Sequence, residues 1–300
     1  MRILITGSNG LLGQKITDLC MQKSISFLAT SKGDNRYSKI SDAEYRPMDI
    51  AIREEIESVV AEFKPTVIIN TAAITNVDYC EDHKELCDLI NVEAVRNLLH
   101  VAEKNNIHLI HLSTDFVFDG EKGPYKETDE RNPLSYYGLS KVKSEDLLLN
   151  SAYKNWAIVR TIIVFGIAEN MSRSNIVLWA KSALEEGQPM TIVDDQFRAP
   201  TFAEDLAWAC VRIGELNARG IYHISGPDTF SIIELVQKVA DYWGLDKSTL
   251  KTVSSSSLNQ AAKRPPKTGF ILDKARMDLG YDPGTFEESL DKLSSQLKKN

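Results

Sequence analysis

RILITGSNGLLG, residues 2–13, is the stretch on which the fold turns. RILIT (2–6) is a short apolar run of the kind that forms a buried strand. Glycines follow at Gly7, Gly10 and Gly13, and LLGQKITDLC then places Leu12, Ile16, Leu19 and Cys20 on one helical face. A strand running through a glycine turn into a helix presents open backbone N–H groups and the positive end of the helix dipole, which favour a pyrophosphate. The spacing is GxxGxxG and not the GxGxxG of the dinucleotide fingerprint, so as a bare pattern it is weak. A tight turn with a close helix–strand contact is the competing reading. The context favours a dinucleotide cradle containing Gly7, Asn9 and Gly10.

The same alternation continues outward. Strands are expected at 26–30, 45–50, 66–73, 107–113 and 156–166, and helices at 52–63, 80–104 and from Tyr136 onward. Continuous apolar strands alternating with helices indicate a parallel sheet covered on both faces. Beyond about residue 166 the pattern changes to a helix (174–186), a strand (190–195), a helix (203–216), a strand (220–225), a helix (231–244) and a final helix (287–298). The polar stretch SSSSLNQAAKRPPKTG (254–269) reads either as linker or as an ordered loop closing a site. The expected class is α/β, a Rossmann-type doubly wound parallel sheet with a smaller C-terminal α/β substrate domain. Residues 1–166 form the nucleotide-binding domain, with parts of 190–216 and 268–276 returning to it, and 167–300 are mainly substrate-binding.

The 300 residues are 43% hydrophobic and 26% charged with a net charge of −7, the composition of a soluble globular protein. No long basic stretch points to nucleic acid, and the terminal KKN reads as a solvated helix end. No segment reaches the roughly 20 apolar residues of a membrane span, and the N-terminus does not read as a signal peptide. Cys20, Cys80, Cys87 and Cys210 show no CxxC and read as reduced thiols, which places the protein in the cytoplasm. The five histidines form no ligand motif. His108 and His111 sit in one strand with opposite-facing side chains, so no metal site is expected.

At the end of the second strand, TSKGDNR offers Ser31, Lys32 and Arg36 to a 2′-phosphate, which favours NADP(H). Asp34, a few residues on, keeps NAD(H) open. Asp49 follows the third strand, where adenine would lie. Ser113-Thr114 ends the strand at 107–113, and Tyr137 and Lys141 follow at i and i+4 on one helix face. Tyr136 and Lys141, five apart, diverge. A hydroxyl, a phenol and a lysine make an acid–base set for carbonyl/alcohol chemistry, the ammonium lowering the phenol's pKa. YxxxK alone is common by chance, and its bland reading is a surface pair.

NTAAITNVD (70–78), STDFVFDG (113–120), PYKETDERNPLSYYGLSK (124–141), VRTIIVFG (159–166), DDQFRAPT (194–201) and RPPKTGFILDKARMDLGY (264–281) together resemble the extended short-chain dehydrogenase/reductase family. More narrowly they resemble its dTDP-4-dehydrorhamnose reductase branch, over nearly the whole chain. The resemblance implies reduction of the C4 ketone of a nucleotide-linked 4-keto-6-deoxy sugar. Tyr137 would be the proton donor, Lys141 would tune it, and Thr114 would position the ketone. It implies cofactor contacts from Gly10, Leu11, Leu12, Asp49, Ile50, Ala72, Ala73, Ile74, Tyr137 and Lys141, sugar contacts from Thr114 and Asp115, and a supporting role for Asn91. Ile163 stands where many members have a substrate-contacting Trp, which leaves the sugar open. Lys15 stands where some have a Glu in a Mg²⁺-bridged dimer contact, so no such site is implied, while a homodimer stays open. Arg198, where some have Gly, reads either as a ligand of the sugar nucleotide's phosphate or as a surface charge. Two rivals remain: a nucleotide-sugar epimerase or dehydratase, and a non-catalytic NADP-binding regulatory subunit like that of methionine adenosyltransferase. For a dehydratase, STDF offers Asp115 without the Glu that often accompanies it.

Overall fold

The computed structural model describes residues 1–171, 174–258 and 260–298. Lys299 and Asn300 of the KKN terminus, and Asn259 of the polar stretch, lie outside them. Strands β1 (Arg2–Thr6), β2 (Ser26–Ser31), β3 (Tyr45–Pro47), β4 (Val67–Asn70), β5 (His108–Thr114) and β6 (Trp156–Thr161) join Gly220–His223 in one seven-stranded sheet. Every neighbouring pair in it is parallel. From one edge the order is β3-β2-β1-β4-β5-β6 and then Gly220–His223, so the chain reverses direction across the sheet between β1 and β4. That reversal opens a crevice at the carboxyl ends of the strands.

The strands are apolar throughout because both faces are covered. Ile3, Ile5, Val67, Ile69, Ile110, Ala157 and Val159 point into one core, and Leu4, Ile68, Leu109 and Ile158 into the other. The first core is closed by α1 (Leu11–Gln22), the helix Ala203–Leu216 and the helix Asp273–Leu279. The second is closed by α2 (Arg53–Phe63) and α5 (Ala94–Asn105). Leu12, Ile16, Leu19 and Cys20 all pack into the first core, as the helical spacing requires. Local signals set the ends. Lys64 stops α2 in the left-handed region ahead of Pro65, Asn106 stops α5 the same way, and Ser135 caps α6 (Tyr136–Leu149) by accepting the Gly138 N–H.

A separate core gathers Phe165, Val177, Leu184, Met190, Ile192, Leu235, Val236, Phe286, Leu290 and Leu293. Of the span 190–216, the helix Ala203–Leu216 packs against the large sheet. Met190–Val193 does not return to the large sheet but pairs in parallel with Leu250–Val253, a strand that the sequence reading passed over. The segment that does return as a strand is Gly220–His223, and Leu272, Ala275, Leu279 and Tyr281 follow it into the first core.

Three expected elements are interrupted. The region 80–104 is α3 (Val77–Asp82), α4 (Lys84–Asp88), a π-helical turn (Leu89–Glu93) and α5, with His83 leaving helical backbone at φ −128°, ψ 56°. The strand at 66–73 ends at Asn70, which frees residues 71–73. The strand at 156–166 breaks after Thr161, and Ile163 takes φ +32°, a conformation that costs a β-branched residue about 1–3 kcal/mol. Thr201 holds the break, its N–H donating to the carbonyls of Ile162 and Ile163 and its hydroxyl to that of Ile162 at 2.7 Å.

The described residues on either side of Asn259 in the polar stretch are tied to the rest of the molecule. Asp195 accepts from the Ser255 N–H and the Ser254 hydroxyl, Arg264 pairs with Asp78 at 2.7 Å, and Pro266 O accepts the Phe197 N–H at 2.7 Å. Among the described residues no helix is long and apolar enough to cross a membrane.

Candidate active site

A cavity of about 340 Å³ lies over the crevice between β1 and β4. Of the residues expected around a dinucleotide, Gly7, Asn9, Gly10, Ser31, Lys32, Arg36, Asp49, Ile50, Ala72 and Ala73 line it. Met48, Thr71 and Ile90 line it too. Leu11 and Leu12 sit at the start of α1, and Ile74 continues from Ala73 toward Asn91; none of the three lines this cavity.

The walls fit a pyrophosphate. Gly10 caps α1 without a side-chain hydrogen bond, and the first turn of α1 holds no carboxylate to neutralise the helix end. Gly7 takes φ +69°, and a Cβ there would lie 2.7 Å from the Ala72 nitrogen. A Cβ on Gly13 would lie 2.5 Å from the Gly7 carbonyl oxygen. The glycines therefore serve turn, approach and packing at once. Asn9 ties the cradle to the next loop, its amide donating to Asp34 O and its Oδ1 accepting the Arg36 N–H, both at 2.9 Å. Lys32 is not a free cation: its Nζ pairs with Asp49 Oδ2 at 2.9 Å across the cavity mouth.

The acid–base residues converge at the carboxyl end of β5. Thr114, Tyr137 and Lys141 are all buried. Burial holds the Tyr137 phenol far above its ordinary range. A hydrogen bond with Thr114 opposes that, and the charges of Asp115, Cys80 and Cys87 add to it. Lys141, like Tyr137, lies on the buried face of α6. Its Nζ turns to His111 Nε2 at 3.3 Å, and burial, opposed by Glu145, pushes the amine down to about 8.

His111 was read only as a strand residue. It sits directly opposite Asn70 in the β4–β5 register and bonds its amide at 3.1 Å and Ser144 Oγ at 3.0 Å, while Asn70 Oδ1 accepts from Thr6 at 2.6 Å. Burial keeps the imidazole neutral, and the adjacent Lys141 adds to that effect. A buried polar chain thus runs from β1 to Lys141 on α6. The one signal for it was a histidine in an otherwise apolar strand.

Asp115 and Arg198 also differ from expectation. Asp115 is buried beneath Thr114, accepting from Thr114 Oγ1 at 3.1 Å and from the Thr268 hydroxyl, with Arg198 Nε 3.6 Å away. Burial nonetheless holds its carboxyl above the usual range. Arg198 is neither a surface charge nor free for a phosphate. Its guanidinium donates to the carbonyls of Phe197, Pro265 and Pro266 and lies over the Phe116 ring. It locks the 264–268 loop behind the site. Lys15 pairs with Glu204 of the same chain at 2.9 Å. Tyr136 bonds Asp88 at 2.8 Å, shared with Lys143, and takes no part in the acid–base cluster. Asn91, in the π-helical turn, clamps Ile74 through N–H and carbonyl and reaches Ser140 at 3.0 Å.

Comparison with known proteins places this geometry. The model of the RmlD substrate binding domain matches residues 1–299. The chain belongs to that family. It is 31% identical to the dTDP-4-dehydrorhamnose reductase of Aggregatibacter actinomycetemcomitans, over 96% of this chain and 97% of that protein. It is 30% identical to the methionine adenosyltransferase 2 subunit beta of Danio rerio, over 93% and 84%. A Bacillus anthracis dTDP-4-dehydrorhamnose reductase solved in complex with NADP superposes with a TM-score of 0.82 at 26% identity, over 98% of this chain and 99% of that one. The family member described here is therefore an NAD(P)-dependent oxidoreductase of the extended short-chain dehydrogenase/reductase type.

Proposed function

We propose that the protein reduces the C4 ketone of a nucleotide-linked 4-keto-6-deoxy sugar, with NADPH as the preferred reductant. The observation that carries this reading is the assembly of Thr114, a protonated Tyr137 and Lys141 in one buried cluster beside a backbone phosphate cradle. The bound nicotinamide supplies the hydride. Gly7, Gly10 and the open start of α1 would hold the pyrophosphate, and Ser31 and Arg36, joined by Lys32 once it exchanges Asp49 for the ligand, would meet the 2′-phosphate. Thr114, oriented by its bond to Asp115, directs its hydroxyl region at the ketone oxygen. Tyr137 gives its phenolic proton to the nascent alkoxide. Lys141 supplies positive charge behind it, and Ile163 at the strand break offers an apolar contact to the sugar.

The test is NADPH oxidation against dTDP-, UDP- and GDP-linked 4-keto-6-deoxy sugars, with the product configuration read by NMR. Turnover with at least one is expected. kcat/KM should be higher with NADPH than with NADH, and a clear NADH preference would contradict the reading of Ser31, Lys32 and Arg36. The likeness to methionine adenosyltransferase 2 subunit beta supports a second reading, a regulatory subunit. No turnover with any sugar, together with tight binding of a protein partner, selects it.

A pH dependence follows from Lys141. Its amine is protonated below about 8 and neutral above. kcat/KM, which reports groups of the free enzyme, should therefore fall as pH rises through that value. A profile flat to pH 10 would show that the charge on Lys141 is not used.

A further inference from the structure

Two of the four cysteines meet beside the acid–base cluster. Cys80 on α3 and Cys87 on α4 are wholly buried, and their Sγ atoms lie 3.0 Å apart. A disulfide needs a separation of about 2.05 Å, so closure by about 1 Å would join them. The segments that carry them are built to allow that movement. α3 has six residues and α4 five, and they are joined at His83, outside helical backbone. The pair packs against Tyr137 together with Ile74 and Phe116, both only half-buried, so it lies one side chain below the cleft surface. Asn91 Nδ2 donates to Cys87 Sγ at 3.4 Å while holding Ile74 O and Ser140 Oγ, both at 3.0 Å.

We propose that Cys80 and Cys87 form a reversible oxidation site, converted by hydroperoxides to a disulfide that pulls Cys87 from Asn91 and unseats Tyr137. The chemistry balances. The Cys87 thiolate attacks one peroxide oxygen, the O–O bond breaks, and the departing hydroxide takes a proton. Cys80 then loses its proton as its sulfur attacks the Cys87 sulfenic sulfur and expels the oxygen as water. Two thiols are oxidised and one hydrogen peroxide is reduced to two waters. The hydrogen bond with Cys80 draws the Cys87 thiol down to about 7, with Ser140 and Asn91 acting in the same sense against burial. A nucleophilic fraction is thus present at neutral pH. Cys20 and Cys210, in contrast, are pushed up to about 12 by burial and serve as internal controls.

The experiment treats the folded full-length protein with hydrogen peroxide, quenches by alkylation and reads tryptic peptides, with Lys84 as the cleavage site between the two cysteines. Expected is a dithiothreitol-reversible link, two hydrogens lighter, between the Cys80 and Cys87 peptides, formed before Cys20 or Cys210 changes. Sugar-dependent NADPH oxidation should fall in step by roughly 10²-fold, the scale of a 1 Å misplacement, and recover on reduction. Cys80→Ser and, separately, Cys87→Ser should abolish the link and remove any further fall in turnover on peroxide treatment relative to each variant's own untreated rate, with folding checked by thermal melting. Absence of the link, earlier oxidation of Cys20 or Cys210, or a complete link with unchanged turnover overturns the proposal. The activity arm rests on the proposed reductase reading and the mass arm does not, so failure of one is distinct from failure of the other.

Discussion

Tyr137→Phe should lower kcat by roughly 10²–10⁴-fold, the range for losing a positioned general acid. That corresponds to about 3–5 kcal/mol of transition-state stabilisation. The effect should appear in kcat and leave cofactor affinity unchanged, because the phosphate cradle stands on β1 and α1 while Tyr137 stands on α6. The ring is buried against Phe116, Cys80 and Cys87, so the phenyl group of the variant keeps its seat. Steady-state NADPH oxidation and a cofactor titration on the same preparation measure both parts. Near-normal turnover would remove Tyr137 from the mechanism. Tyr136→Phe is the matched control: its hydroxyl bonds Asp88 and Lys143, so that variant should lose only a small fraction of activity.

Glu145→Gln should cost about 3–5 kcal/mol of folding stability, the usual consequence of removing one partner from a buried ion pair. Glu145 is fully buried, one helical turn beyond Lys141. It receives Arg160 at 2.7 and 2.9 Å, Ser113 at 2.6 Å and Arg131 at 3.1 Å. Burial works to raise its pKa, yet the bond and charge of Arg160, with Ser113 and Arg131, hold it below the ordinary glutamate value. A depressed carboxylate stabilises the fold above its unfolded pKa, near 4.3, and loses that contribution as pH falls through the folded value. The stability gap between wild type and Glu145→Gln, measured by denaturant unfolding, should accordingly narrow in acid. Because Glu145 also raises the Lys141 pKa, the alkaline fall in kcat/KM should move to lower pH in the variant. A gap below about 1 kcal/mol at neutral pH, the scale of an exposed pair, would show that the Arg160 charge is satisfied without Glu145.

How much was readable from the chain depended on the range of the physics involved. The parallel sheet and most helices were legible because burial on both faces leaves an apolar run, and caps such as Ser135 and Lys64 act within a few residues. The shared buried face of Tyr137 and Lys141 on α6 was legible for the same reason, since i and i+4 share a face wherever the helix begins. Arg198 was not, because the Pro265 and Pro266 carbonyls and the Asp115 carboxylate that hold it come from distant parts of the chain. Nor was the Lys32–Asp49 pair, which needs β2 and β3 side by side. Leu250–Val253 was missed because its side chains are exposed or half-buried, leaving no apolar run to read. The helical break at His83 carries neither Gly nor Pro, the usual marks of an interruption.

The large sheet is assembled from residues at both ends of the chain. Ile3 and Ile5 share a core with Tyr222, Leu279 and Tyr281, and the sheet edge beyond β6 is covered only by Gly220–His223. On a ribosome, where synthesis proceeds at about 5–20 residues per second, the nascent nucleotide-binding half must wait with an open edge and an uncovered face. Nearly the entire polypeptide must emerge before that half can close. The strand that ends the wait, Gly220–His223, is made well after β6, the strand beside which it docks.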